Sequence, residues 1–566
     1  MSFVSGSTSG LKHSQIERLE KFATRRVPAN VVITHELARS LTQLAFEINR
    51  QLGLLIDRKG RLQRIIVGEA RSIIIPRLTG WRVGIGRLRG LRLVHTHLKN
   101  ERLSHEDLTD LALLRLDLIA SVGVDSVGLP TVIEIAHLLP PNPKEEAWRL
   151  MEPTFPSQLD LDFLAFIKSL EGEIYRVMKS SFIGSQNETA FLVGKTDGRP
   201  WEIEESIREL KELSSSSGLD VVGFLIQRRD SVDPHYVVGK GKLKEIVIQA
   251  LQKGANVLVF DTELTAPQVK AISEFTEIKV LDRSQLILDI FAQRAKSSEG
   301  KLQVELAQLK YALPKLSEKD DALSRLTGGI GGRGPGETRL EIDRRRIHNR
   351  IGFLEQRIKQ VAKARSLRRR LRSRRSIPII SIVGYTNAGK STLLNNLTKS
   401  SVLVENKLFA TLDPTSRRLR FPRETEVIIT DTVGFIKDLP ETLLKAFAAT
   451  LDELTDADLL LHVIDSSNPQ VEKQLEAVED LLDKLELSEK LIIRVFNKID
   501  LTDSETVNNL CARYNGVAVS ALKPETFNGL IEQVENQILQ DLKLKQIEYH
   551  GNRTSGASLT HEKNYY

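Results

Sequence analysis

One run in this chain of 566 residues has the residue types and spacing to hold a polyphosphate: Gly384, Tyr385, Thr386, Asn387, Ala388, Gly389, Lys390 and Ser391, followed by Thr392. In the pattern G-x-x-x-x-G-K-S the glycines let backbone N–H groups turn inward around phosphate oxygens. The lysine reaches the β- and γ-phosphates, and the serine hydroxyl ligates Mg2+. The apolar run Ile379–Val383 precedes the motif and the helical pattern Thr392–Leu397 follows it, the strand–loop–helix context this chemistry needs. Downstream, a strand-like run ends in Asp431, followed by Thr432, Val433 and Gly434. Asp431 is placed to hold Mg2+ through water, and the Gly434 N–H to sense the γ-phosphate. Leu491–Phe496 then leads into Asn497, Lys498, Ile499 and Asp500. A carboxylate at Asp500 can accept both N1–H and the 2-amino group of guanine, a donor pair that adenine lacks, so GTP is expected over ATP. Ser520, Ala521 and Leu522 supply the remaining guanine-side loop.

Between these motifs lie Phe409, Ala410, Thr411, Leu412, Asp413, Pro414 and Thr415. A threonine here would complete Mg2+ coordination when the γ-phosphate is present; Thr411 is the first choice and Thr415 the second. The same residues also suit an ordinary turn at Asp413-Pro414. Lys390, Thr411 and Gly434 are therefore the expected catalytic groups. Signalling GTPases of the Ras type place a water-orienting glutamine after the glycine, where this chain has Phe435. A phenyl ring cannot hydrogen-bond water. Slow intrinsic hydrolysis is expected, accelerated by a partner or by another polar group.

A second constellation lies far upstream. Leu91–Val94 leads into His95-Thr-His97, then Ser104-His-Glu-Asp107 and a helical pattern. Alternation at a strand end puts His95 and His97 on one face, where Asp107 could add a third zinc ligand. Glu47, ahead of the strand-like Leu52–Ile56, could then be the base for a metal-bound water, and Ser104 an oxyanion donor. The arrangement resembles the JAB/MPN metallopeptidase motif, a glutamate followed by H-x-H and a later S-x-x-D. It departs by one residue between His97 and Ser104, and Leu98 stands where proline is usual. A surface histidine pair, or a domain that kept its fold and lost its metal, would leave the same trace.

The elements that must position these groups read as α/β throughout. Residues 1–29 are expected to be a flexible lead, and 30–150 a small α/β extension with helices at Glu36–Asn49 and Asp107–Ala120. A Pro-rich stretch, Leu139–Pro143 with Pro153 and Pro156, marks its end, and a linker or helix at 151–188 leads to a second α/β domain at 189–296, with strands Val221–Ile226, Val257–Phe260 and Ile278–Leu281. Its Tyr236–Lys242 is a glycine-rich, basic strand-to-helix turn. At 297–376, Leu302, Leu306, Leu309, Leu313 and Leu316 are spaced 4-3-4-3, and Ile347, Ile351, Leu354, Ile358 and Val361 repeat that spacing. Two such seams joined by a loop describe an antiparallel helical hairpin, with Pro314 interrupting the first helix. A mostly parallel P-loop domain at 377–540 and a tail at 541–566 complete the chain.

Net charge is +7, but its distribution matters more than its size. Between Arg339 and Arg375 there are 15 basic and 3 acidic residues, a local +12, so the remainder carries −5. Arg344, Arg345, Arg346, Arg368, Arg369 and Arg370 exceed what i,i+4 pairing with three acids can neutralise. A rod of that charge is suited to RNA phosphates, with steep salt dependence. The single cysteine, Cys511, excludes a disulfide framework and suits a reducing compartment. With no signal pattern at the start and no long uncharged apolar run, a cytoplasmic monomer is expected, peripheral membrane attachment being left open.

The motifs at Gly384–Ser391, Phe409–Thr415, Asp431–Phe435 and Asn497–Asp500 occur with Asp233–Lys242 and with Gly328-Gly329-Ile-Gly331-Gly332-Arg333-Gly334-Pro-Gly-Glu-Thr-Arg339. In this combination the chain resembles the HflX family of ribosome-associated GTPases from about Thr189 to Gln540. The resemblance implies GTP and GDP binding with Mg2+, hydrolysis of GTP and sometimes ATP, and splitting or rescue of stalled or idle ribosomes through the large subunit. It further implies that the hairpin carries its glycine loop to rRNA near the peptidyl-transferase centre, a thin tip with few side chains. A GTPase switch for another RNA, in ribosome assembly or tRNA modification, and a GTPase-regulated N-terminal metallopeptidase are the alternatives. Two departures from the family pattern are expected: a C-terminal domain reduced to a short tail, and some 185 residues ahead of the matching region.

Overall fold

The computed structural model describes residues 3–76, 78, 81, 86–142, 144–181, 187–196, 200–228, 233–315, 339–373, 377–398, 409, 415–423, 425–436 and 454–540. The chain divides into two compact units, one ending at Leu281 and one beginning at Asp282 and including residues 212–217.

The first unit holds two sheets. In the larger, strands run in the order β1 (Val4–Gly6), β3 (Leu62–Val67), β2 (Leu52–Asp57), β4 (Leu91–His97), β5 (Leu118–Val124), β6 (Pro130–Leu138) and β7 (Trp148–Leu150). β2, β4 and β5 are buried along their whole length, as near-continuous apolar strands covered on both faces must be. β4 pairs antiparallel with β2 and parallel with β5. Around this sheet lie α1 (His13–Phe22), α2 (His35–Ile48), α3 (His105–Leu114) and α4 (Phe163–Ser181), which contribute Leu19, Leu41, Leu111, Phe163 and Ile167 to one core.

Two expectations change here. The expected flexible lead at 1–29 is folded: Val4–Gly6 adds a parallel strand to β3, and Leu19 and Phe22 of α1 are buried. The expected helix Asp107–Ala120 stops at Leu114, because Arg115 takes a left-handed conformation (φ 50°) and caps it. Leu118–Val124 then becomes a central strand. A short buried apolar run reads alike as helix or strand, so periodicity alone could not place that break.

The smaller sheet has the order β11 (Lys279–Asp282), β10 (Val257–Phe260), β8 (Thr189–Thr196) and β9 (Asp220–Arg228), with β8 parallel to both β9 and β10. Its helices include α5 (Pro200–Ser216), α6 (Lys240–Gln252) and α7 (Ala266–Phe275). The Tyr236–Lys242 fragment is the turn into α6, with Gly239 at the N-cap.

In the second unit, α8 (Arg283–Arg294) and α9 (Ser298–Ala312) precede the long α10 (Arg339–Ser373). α9 closes in a 3-10 turn, Leu313–Lys315, around Pro314, which cannot continue the helix. α9 packs along α10, with Leu354 fully buried and ion pairs Arg350–Glu305 (2.6 Å) and Lys310–Glu355 (2.7 Å) between them. Leu316 and the glycine loop Gly328–Gly336 lie outside the described residues.

The last sheet has the order β13 (Thr415–Arg420), β14 (Glu426–Asp431), β12 (Ile379–Gly384), β15 (Leu459–Asp465), β16 (Leu491–Asn497) and β17 (Gly516–Ala518). All neighbours are parallel except β13 with β14. Parallel pairing brings the carboxyl ends of β12, β14 and β16 to one edge, and a ligand site in an open α/β sheet forms there. α11 (Lys390–Thr398), α12 (Val471–Lys484) and α13 (Ser504–Tyr514) belong to this domain. Among the described residues no helix is long and apolar enough to cross a membrane.

Candidate nucleotide and metal sites

At the end of β12 the chain makes the turn its glycines permit. Gly384 has φ 148° and Gly389 φ 96°; a Cβ at Gly389 would come within 2.2 Å of Asn497 Nδ2, so glycine is required for the approach. Asn387 supplies a further left-handed residue (φ 63°). Lys390 opens α11, is buried, and donates from Nζ to the Tyr385 carbonyl (2.7 Å). Burial pushes its pKa down to about 8, with Asp431 acting in the opposite direction. Ser391 Oγ donates to Asp431 Oδ2 (2.6 Å), so the two expected Mg2+ ligands meet at the mouth of the loop. Thr432 is tied to the Ile382 carbonyl (2.6 Å), fixing the end of β14 against β12.

Gly434 lies close over the loop: an added Cβ would sit 2.9 Å from Thr386 Cγ2 and 3.0 Å from Lys390 Nζ. Phe435, buried, is locked by its backbone, donating from N to the Gly384 carbonyl (3.1 Å) and accepting from Thr386 N (2.7 Å). Phe409 is buried in a left-handed conformation (φ 55°) and meets Phe291 edge-on at 4.7 Å. Ala410, Thr411, Leu412 and Asp413 lie outside the described residues, as does the Thr415 side chain.

The guanine side is assembled by one asparagine. Asn497 Nδ2 donates to the Ala388 carbonyl (2.8 Å), and its Oδ1 accepts from Ala521 N (2.7 Å), joining the phosphate loop to the Ser520–Leu522 loop. Asp500 accepts from Ser520 Oγ (2.6 Å), and that hydrogen bond holds its carboxyl below the ordinary range. Lys498, at φ 63°, donates to Asp465 Oδ2 (2.6 Å). Sequence motifs name Asn497 and Lys498 but not Asp465, whose only sequence signal is its place at the end of an apolar strand. His462, buried on β15, was also not foreseen; burial, with Arg494 and Lys390 adding, lowers its pKa to about 3 and keeps it neutral.

In the first unit the structure gathers three of the five expected zinc-site residues around a common point. His95 and His97, both buried at the end of β4, have their Nε2 atoms 2.9 Å apart. Asp107 faces them, with Oδ1 3.3 Å from His95 Nε2 and Oδ2 3.6 Å from His97 Nε2. One ligand atom from each lies within 4.8 Å of the others. His97 Nδ1 is 2.9 Å from the Glu101 carbonyl, which calls for its proton there and leaves Nε2 free to coordinate. Burial, with His95 beside it, lowers the His97 pKa. Burial disfavours the Asp107 carboxylate, but the His95 and Ser104 hydrogen bonds outweigh it and hold that carboxyl below its ordinary range.

Ser104 is the N-cap of α3 and donates from Oγ to Asp107 Oδ2 (2.6 Å), which makes it a support for the ligand. The expected base is misplaced. Glu47 is exposed near the end of α2, bonded to Gln15 and Arg18 and not to the cluster. β2 pairs Gly53 with His95, and alternation two residues upstream puts the buried Gln51, not a carboxylate, on that face. Glu134, which sequence spacing did not reveal, accepts from Leu103 N (2.7 Å) and anchors the loop entering α3.

A mostly parallel sheet carrying a phosphate loop, a Mg2+-type Ser/Asp pair and a guanine-side Asn/Asp pair at one edge defines a P-loop GTPase. Residues 379–498 match the family described as 50S ribosome-binding GTPase, residues 204–292 the GTP-binding GTPase N-terminal family, and residues 294–372 the GTP-binding GTPase Middle Region. The chain is 47% identical over 343 residues to the GTPase HflX of Caldanaerobacter subterraneus subsp. tengcongensis, covering 61% of this chain and 79% of that relative. It is 42% identical over 343 residues to the GTPase HflX of Escherichia coli strain K12, covering 59% and 80%. A GTP-binding protein from Sulfolobus solfataricus, solved with GDP, aligns at 25% identity and a TM-score of 0.34, over 62% of this chain and 99% of that one. The chain belongs to the HflX GTPase family, and it is a GTP hydrolase.

Proposed function

We propose that this chain uses GTP to engage the large ribosomal subunit, near the peptidyl-transferase centre, and there splits or rescues stalled or idle ribosomes. GTP binding drives engagement and hydrolysis drives release. The observation that carries this reading is the +12 segment from Arg339 to Arg375, nearly all of it the single helix α10, which ends five residues before the phosphate-loop strand in the sequence. Arg344, Arg345 and Arg346, with Arg368, Arg369 and Arg370 further along α10, are the expected rRNA contacts; the last three side chains lie outside the described residues, as does the tip Gly328–Gly334. Such a contact is phosphate-directed, so its affinity falls steeply with salt.

The residues at the loop fit Mg2+: Ser391 Oγ and Asp431 Oδ2, hard oxygen donors, already lie 2.6 Å apart. Ser391 would bind the ion directly, Asp431 through water, with Thr411 joining when GTP is bound. The ion would neutralise charge on the β- and γ-phosphates, and the protein is expected to act in the cytoplasm as a monomer. The test is GTP hydrolysis with and without purified large subunits across a salt series. Stimulation that fades as salt rises is expected; absence of stimulation at every salt concentration overturns the proposal. Stimulation only by subunit precursors would instead favour a role in ribosome assembly.

We also infer that His95, His97 and Asp107 hold a divalent cation of the zinc type. Two imidazole nitrogens and a carboxylate converging in a buried site match zinc's preference. About one equivalent of zinc in the full chain by mass spectrometry is expected, and less than about a tenth of an equivalent with the fold intact would end this reading.

A further inference from the structure

Building on that cation reading, we propose that the His95–His97–Asp107 centre is a mechanical clamp, and that its cation ties the extension to the four-stranded domain through α3. The expected base is not at the centre: Glu47 is engaged with Arg18 on the surface, and the corresponding face of β2 carries Gln51. Hydrolysis by a metal-bound water needs a group to take its proton, and an amide cannot.

What the centre does possess is a grip on one helix. Asp107 is the third residue of α3 and closes a reciprocal capping box, its Oδ2 accepting from Ser104 N (2.8 Å) while Ser104 Oγ accepts from Asp107 N (3.2 Å). A cation shared by Asp107 and two histidines of β4 would pin the N-terminus of α3 to the centre of the seven-stranded sheet.

The other end of α3 belongs to a different layer. α3 packs against α6, and the two helices exchange side chains between cores: Leu113 packs on the four-stranded domain's core, Ile248 on the extension's core. Arg89, buried, extends the joint, bonding the Leu114 and Trp81 carbonyls and Glu277 Oε1 (3.1 Å). Lys253–Glu145 (2.9 Å) and Gln252 Nε2 to the Glu146 carbonyl (2.8 Å) close its rim. α3 therefore lies between the seven-stranded sheet and α6, and the centre sits at its N-terminal end. Because α6 is the helix entered from the Tyr236–Lys242 turn, cation occupancy reaches that turn through a single layer of packing.

The experiment compares amide hydrogen exchange in the full chain with zinc added, after chelation, and in the variants His97→Ala and Asp107→Asn. Zinc is expected to slow exchange about tenfold in both 105–114 and 240–252, leaving 471–484 unchanged as an internal control. Chelated wild type should match folded variants, and the wild type with and without zinc decides the question by itself if a variant folds poorly. Zinc bound at one equivalent with no change at 240–252 overturns the clamp and leaves the cation site standing. Zinc not retained overturns the cation site itself.

Discussion

Lys390 makes the sharpest prediction from a single side chain. Its pKa near 8 in the described state means that the ammonium is lost as pH rises past that value, while nucleotide phosphates favour the charged form. Binding above pH 8 must therefore take up a proton, and GTP affinity should fall toward about tenfold per pH unit between pH 8 and 9. In the nucleotide-free chain the sign is opposite for folding: a lowered lysine pKa makes stability rise between the folded value and the unfolded one near 10.5. Titration of GTP from pH 7 to 9.5 against Lys390→Gln checks this; parallel profiles would contradict it. Phe435 adds a second case. Its ring is buried, and its backbone is bonded to the phosphate loop, so Phe435→Ala should lower stability by about 3 kcal/mol through cavity formation. Basal turnover per folded molecule should stay within about threefold of wild type. Thermal unfolding and single-turnover hydrolysis separate the two effects. Motif spacing names Lys390, Ser391, Asp431 and Asn497, which the structure gathers at the end of β12, because phosphate loops depend on local backbone geometry. It misplaced Glu47, because whether a carboxylate faces a strand or turns to solvent is decided by a helix end and by Arg18, 29 positions away.

At the scale of elements, α10 carries a large excess of basic over acidic residues. Replacing Arg344, Arg345 and Arg346 with glutamine should weaken large-subunit binding and reduce its salt slope by about three, leaving GTP affinity unchanged. Sedimentation at several salt concentrations measures the slope, and an unchanged slope would remove these residues from the RNA contact. The heptad spacing of α9 and α10 is kept only in part: Leu306 and Leu354 are buried, but α9 also buries Gln303, Val304, Ala307 and Tyr311 between the spaced leucines, because it packs on α8 as well as on α10. The end of α3 was not legible in the sequence. Leu111 to Val124 is apolar enough for either state, and the break at Arg115 is imposed by tertiary contacts. The buried Asp117 illustrates them: it accepts from Arg58 (2.7 Å) and from Gly90 N (2.9 Å).

For the molecule as a whole, the α/β class and the parallel phosphate-loop sheet could be read from alternating runs, whereas the folded N-terminus could not. Val4–Gly6 is held by pairing with β3, some 60 residues away, and by burial of Val4, and no local pattern announces such partners. Only five residues of sequence separate α10 from β12. α10 spans 35 residues, or ~52 Å of helix. From Ser373 to Ile379 the connection is short enough to reach no more than ~20 Å. Whatever the far end of α10 touches is thus joined by continuous backbone to the strand that carries the phosphate loop. A tilt of only ~5° at the base would sweep the far end through ~5 Å. A small rearrangement around the γ-phosphate and a large displacement at an RNA surface can be two ends of one lever.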